Sequence, residues 1–71
     1  MYLEKLAQLD ATIRDALARI ERQREFVAEF DERGYDMRAP LSLLSCLLVN
    51  LRRLEDERRN VVEMIDDVVP V

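Results

Sequence analysis

With 71 residues, one Gly, two Pro and no His, the chain has room for one domain and few turns. Its composition, 49% hydrophobic and 37% charged residues, excludes a disordered chain and is typical of helices. Fifteen acidic against eleven basic residues leave a net charge of −4, which argues against nucleic acid as a partner, and the absence of His removes the commonest general base and metal ligand.

Two helices are predicted in chain order, at 2–33 and 37–68, joined by a turn at 34–36 within a single hairpin domain of residues 1–71. Gly34 suits the left-handed position that ends a helix. Asp36 is the predicted N-cap of the second helix, with Met37 opening it and Pro40 in its first turn. The alternative is a second helix that starts at Pro40 itself. A connection this short makes the helices antiparallel, which predicts an all-α, coiled-coil-like hairpin.

Apolar residues recur every seven positions in both helices, which indicates a left-handed supercoil. Tyr2, Ala16, Gln23 and Arg58 also fall at these heptad a and d positions, and Gln23 and Arg58 interrupt the apolar pattern. The predicted apolar seam between the helices is made by Leu6, Leu9, Ile13, Ile20, Val27, Phe30, Leu44, Leu47, Leu51, Leu54, Val61, Ile65 and Val68.

One pairing of the two helices brings all of these positions opposite one another. It places Ile20 against Leu54 and Gln23 against Leu51. Its outermost layer pairs Leu6 with Val68, and its flank brings Arg19 beside Glu57. Within the first helix, an Asp15–Arg19 pair has the favourable acid-first order.

One flank of this seam, at the heptad e positions, is unusually apolar for a two-helix coiled coil, which favours charges there. Burying one Leu or Val contributes about 1.5–3 kcal/mol, far more than a surface ion pair, so this flank predicts a homodimer that forms a four-helix bundle. The alternatives are a monomer with an exposed apolar side and a different protein covering the same face. The predicted interface consists of Leu3, Leu17, Leu41, Leu48, Val62 and Val69. Phe26, Leu43 and Val49 add apolar surface near the turn.

The two polar seam residues have a functional and a structural interpretation. Gln23 and Arg58 could line a small ligand site, but the sequence favours structural roles. Gln23 would specify register, while the Arg58 side chain would fill the gap beside Ala16 and extend its guanidinium towards Asp15.

No other residue set indicates catalysis or ligand binding. Cys46 is interpreted as a small buried or dimer-facing hydrophobe. Glu63, Asp66 and Asp67 are interpreted as an acidic helix end, and the basic residues Arg19, Arg22, Arg24, Arg52 and Arg53 as part of a solvated, mixed-charge face. Tyr35 and Met37 could form a docking knob at the hairpin tip or pack over the loop. We therefore expect no enzyme activity, no cofactor, no metal site and no small-molecule substrate.

Location is predicted from what the chain lacks. The longest apolar-rich stretch, Leu41–Leu51, is about half of a membrane span, so no membrane association is expected. A single Cys cannot form a disulfide within the chain, so no oxidising compartment is implied. A cytoplasmic protein is the expectation.

The stretch Ile20–Phe30, which contains Arg22-Gln23-Arg24, is followed by Gly34-Tyr35-Asp36 and Leu43-Leu44. This middle part of the chain resembles short uncharacterised helical-hairpin proteins of rhizobia and related alphaproteobacteria. Those proteins carry an Arg-Gln-Arg run, a Gly-x-Asp turn and a following Leu-Leu helix. The resemblance implies a bacterial helical hairpin and implies no catalytic residues.

Two functions follow as hypotheses. The first is a homo-oligomeric structural or protein-interaction module. The second is a small regulatory subunit, antitoxin-like or an anti-activator, that docks an apolar helix face on a different protein.

Overall fold

The computed structural model describes residues 1–68 and contains two helices, α1 at Tyr2–Arg33 and α2 at Arg38–Val68. No strand occurs among these residues, so the predicted all-α class is confirmed. The helices lie antiparallel along a rod with dimensions of 57 × 16 × 15 Å, which is consistent with a hairpin only two helices thick. Val69, one of the predicted interface residues, lies outside the described residues.

Gly34 ends α1 as the sequence predicts. Its φ of 74° and ψ of 22° place it in the left-handed region, which a residue without Cβ adopts at little cost. The backbone N–H of Gly34 donates to the carbonyl of Asp31 (3.1 Å), and that of Tyr35 donates to the carbonyl of Phe30 (3.0 Å). These two bonds form a Schellman motif, which satisfies carbonyls at the end of the helix.

α2 begins at Arg38, one residue after the predicted Met37. The carbonyl of Met37 accepts the first helical bond, from the N–H of Leu41 (3.0 Å), so Met37 occupies the N-cap position that was assigned to Asp36. Asp36 still caps the helix, because its Oδ1 accepts a bond from the backbone N–H of Arg38 (3.0 Å). The alternative start at Pro40 is wrong. Pro40 lies in the first turn, where a missing N–H costs little.

The predicted a and d faces of both helices form the core. Leu9, Ala16, Leu54 and Val61 make one buried cluster, and partly buried apolar residues of the seam pack against it. These residues are Leu6, Ile13, Leu51 and Ile65. Ile20 is also buried, and Val27, Phe30, Leu44 and Leu47 are half-buried.

The pairing of the helices differs from the prediction by about one heptad. Gln23 Nε2 donates to the carbonyl of Pro40 (3.0 Å), whereas the predicted partner Leu51 lies about 16 Å further along α2. Likewise, Lys5 rather than Arg19 meets Glu57, at 3.6 Å. Both of these long side chains reach along the rod, so their contacts overstate the displacement. Arg58 meets Asp10 in place of the predicted Ala16, six residues away, and because the seam repeats every seven residues, each α1 residue faces an α2 residue about seven positions earlier than expected.

Two further predicted contacts are wrong because of the same shift of one heptad. Ile20 lies outside the buried cluster that contains Leu54, its predicted partner. Val68 was predicted to pack against Leu6, but its side chain is 64% exposed because the shift carries it past the start of α1. A heptad pattern has the same a and d sets after a shift of seven residues, so the pattern alone cannot choose between these pairings.

Candidate interaction surfaces

Gln23 and Arg58, the polar residues of the seam, occupy separate structural positions. The side-chain amide of Gln23 donates a hydrogen bond to the Pro40 carbonyl near the turn. Arg58 Nε donates to Asp10 Oδ1 at 2.6 Å, in a pair whose side chains are both somewhat under half exposed. The expected direction of Arg58, towards Asp15, is therefore wrong. The heptad shift moves Arg58 away from the level of Ala16 and towards Asp10. The two polar residues do not meet in one ligand site.

The predicted interface residues that the structure describes leave apolar surface in solvent. We call this set, Leu3, Leu17, Leu41, Leu48 and Val62, the leucine flank. The first four side chains are 72%, 49%, 46% and 38% exposed, and Val62 is half-buried. Because e positions of antiparallel helices flank the same side of the seam, these residues share one long face of the hairpin.

A second apolar surface lies on the opposite flank, close to the turn. It is an open groove of about 520 Å³, which we call the loop-end groove. None of the leucine-flank residues lines it. Its walls come from both helices and are formed by Arg19, Arg22, Gln23, Phe26, Leu43 and Leu47.

Aromatic stacking holds one wall of this groove. Phe26 lies 4.4 Å from Phe30 between ring centroids, and Phe30 contacts Tyr35 edge-to-face at 5.1 Å. Phe26 and Tyr35 remain about half exposed. The tip residue Tyr35 thus packs over the loop end, and Phe26 presents apolar surface to the groove in a position braced by its neighbours.

Phe26 and Leu43 are identified from the sequence as apolar surface near the turn but are not grouped there with Arg19 and Arg22. Two features of the sequence indicate the groove: Phe26, Arg19 and Leu43 all occupy g positions, and no charged residue occurs between 39 and 51. A helix that is apolar nearly all round is normally covered on more than one side.

The remaining candidate residues add no further site. Cys46 is exposed, so the interpretation of a thiol buried within the chain is wrong. The carboxylates Glu63, Asp66 and Asp67 are exposed, and across 1–68 no three His, Cys, Asp or Glu residues are grouped in a way that could hold a metal ion. No helix in the described part of the chain is long and apolar enough to span a membrane.

At the turn, Arg38 forms a forked ion pair with Asp36. Its Nε lies 3.1 Å from both carboxylate oxygens, and Nη2 lies 2.7 Å from Oδ2. These bonds from Arg38, first from its side chain and then from its backbone, hold the pKa of the Asp36 carboxyl below its ordinary value. Both groups are exposed, so the pair orders the start of α2 without forming a site.

In comparisons with known proteins, no family model, curated protein or solved structure matches this chain.

Proposed function

We propose that this protein is a non-enzymatic, homo-oligomeric interaction module in which two hairpins pack through their leucine flanks into a four-helix bundle. The observation that carries the proposal is the exposure of four leucines along one face of a rod that has only six buried apolar side chains among residues 1–68, Pro40 included. A rod two helices thick has little interior, so a second layer adds most of the burial that it can gain.

The energy of covering this face favours association. Each Leu or Val that becomes buried contributes about 1.5–3 kcal/mol before the costs of association. The flank also carries four charged e positions, Asp10, Arg24, Asp31 and Glu55. Of these, Asp10 is already bonded to Arg58, which reduces the cost of placing it beside another protein surface.

The mass in solution tests the proposal. The monomer mass is 8.4 kDa, so sedimentation equilibrium at micromolar concentration should give about twice that value. We expect Leu48→Ser to shift the protein towards monomer, because Leu48 lies on the leucine flank. Val49→Ser is the matched control, since Val49 is 70% exposed but lies on the outer face of the same helix.

Two results would contradict this proposal. One is a monomer at all accessible concentrations, and the other is equal weakening by the two substitutions. Circular dichroism on both variants checks that helix content is retained, which is expected because neither side chain belongs to the buried cluster.

A second candidate is a small regulatory subunit that docks on a different protein. The loop-end groove favours it, because this surface lies opposite the leucine flank and would stay open in the proposed bundle. The two functions are compatible, since a dimer formed through one flank can present the other.

A further inference from the structure

Two guanidinium groups at the loop-end groove have no carboxylate partner. Among residues 1–68, four arginines form ion pairs, and the six that form none include Arg19 and Arg22. The pairs expected for Arg19 do not form, and Glu57 is taken by Lys5. Both arginines line the groove, and no carboxylate lines it.

We propose that the loop-end groove binds an amphipathic helix of a different protein, with aliphatic residues facing Phe26 and Leu43 and carboxylates facing Arg19 and Arg22. The argument is charge complementarity around an apolar floor. From Arg19 to Phe26 the groove follows α1 for about 10 Å, which matches about two turns of a bound helix. Recognition would follow the helix-in-groove mode, with apolar anchors at i, i+3 or i+4 and i+7.

The groove is arranged before any partner arrives. Phe30 stacks on the Phe26 ring and is itself in contact with Tyr35, and the bond from Gln23 to Pro40 joins the two helices at the level of the groove. A surface that does not have to reorganise loses less free energy on binding.

Charge argues against a lipid surface as the occupant. The chain carries a net charge of −4, which disfavours an anionic membrane, while a partner helix needs only local contacts with the two arginines. At physiological salt the overall repulsion is screened beyond about 8 Å, so the guanidinium groups at the contact dominate.

The test uses two synthetic helical peptides that differ only in charge. Both carry Leu at the i, i+4 and i+7 anchors, with Glu at the flanking positions in one peptide and Lys in the other. Binding is measured by fluorescence anisotropy and mapped by amide chemical shifts on the full chain. Because the protein is acidic, non-specific attraction would favour the Lys peptide. We expect the Glu peptide to bind more tightly, with shifts centred on Phe26 and Leu43.

Two arginines of α1 supply the variants. Arg22 lines the groove, whereas Arg14 occupies a heptad b position that belongs neither to the groove nor to the leucine flank. We expect Arg22→Glu to weaken binding of the Glu peptide about three- to tenfold, and Arg14→Glu to change it less than twofold. Phe26→Ser should weaken binding of both peptides.

Several outcomes would overturn the proposal. Equal binding of the two peptides, no binding, or chemical-shift changes away from the groove would each contradict binding of an acidic partner helix. If Arg22→Glu lowers the mass of the protein measured without peptide, the groove holds a second copy. Binding to phosphatidylserine vesicles that is lost in Arg22→Glu would assign the surface to lipid. The mass of the wild-type protein tests the bundle separately, so failure of one proposal is distinguishable from failure of the other.

Discussion

Truncation of Leu54, compared with truncation of Val68 at the same heptad position, tests how the two helices are paired, because only the effect at Val68 differs between the observed and the predicted pairing. Leu54 is 7% exposed and belongs to the buried cluster with Leu9, Ala16 and Val61. Leu→Ala substitutions in cores cost about 2–5 kcal/mol, through lost burial and the cavity left behind. The rod is only 15–16 Å across, so neighbouring side chains can relax and water can approach, which places the expected cost near the lower limit, at about 2–3 kcal/mol.

The matched control is Val68→Ala. The heptad pattern assigns Leu54 and Val68 to the same d position, but Val68 is 64% exposed, so we expect a cost below about 0.5 kcal/mol. Urea unfolding followed by circular dichroism at 222 nm measures both free energies, at equal protein concentration because dimerisation would add to them.

A large effect of Val68→Ala would refute the pairing seen in the structure. An apolar contact of Val68 with Leu6 would then exist, as the sequence-based pairing requires. Should the Leu54→Ala protein be unfolded without urea, Leu54→Val gives the same comparison with a smaller loss, of about 1 kcal/mol.

Three further predictions concern the ion pairs and the turn. A double-mutant cycle on Asp10→Ala and Arg58→Ala should give a coupling free energy of about 0.5–1 kcal/mol, because the two side chains are close but nearly half exposed. A coupling free energy of zero would contradict the contact. Asp36 should titrate below its ordinary pKa, by NMR of its carboxyl carbon, and Arg38→Ala should raise that pKa. Because the pKa is lowered in the folded state, the stabilisation by Asp36 should be present above about pH 4 and lost as the pH falls further. Gly34→Ala should lower the free energy of unfolding, measured in urea, by about 1–2 kcal/mol. The loss should come entirely from the positive φ, since nothing lies within 4 Å of the added Cβ. An unchanged urea midpoint would argue against the left-handed turn.

The loop half of the hairpin concentrates the surfaces that remain to be covered. Residues 39–51 of α2 contain no charged side chain, and their exposed apolar residues lie on three sides of the helix: Leu41 and Leu48 on the leucine flank, Leu43 at the loop-end groove and Val49 on the outer face. In a single hairpin, α1 covers only the seam side. The leucine flank and the loop-end groove are the two sides next to the seam that it leaves open.

Local signals in the chain were sufficient for the elements and their ends. The periodicity of seven predicts which residues of each helix face the other, and nearly all of them are buried or half-buried. Gly34 predicts the end of α1 because only a residue without Cβ adopts a positive φ at little cost. The start of α2 was missed by one residue, because Pro40 has no N–H to donate to the carbonyl of Asp36, so the first helical bond runs from Leu41 to Met37.

The helical class, the turn and the apolar face of each helix follow from the amino-acid sequence, since these depend on neighbours close in the chain. The pairing of the two helices does not follow from it. A heptad repeat is unchanged by a shift of seven residues, and the choice between pairings came from contacts between distant residues, such as Gln23 with Pro40 and Arg58 with Asp10. The same pairing brings the unpaired guanidinium groups of Arg19 and Arg22 beside Leu43 and Leu47, and so creates the groove.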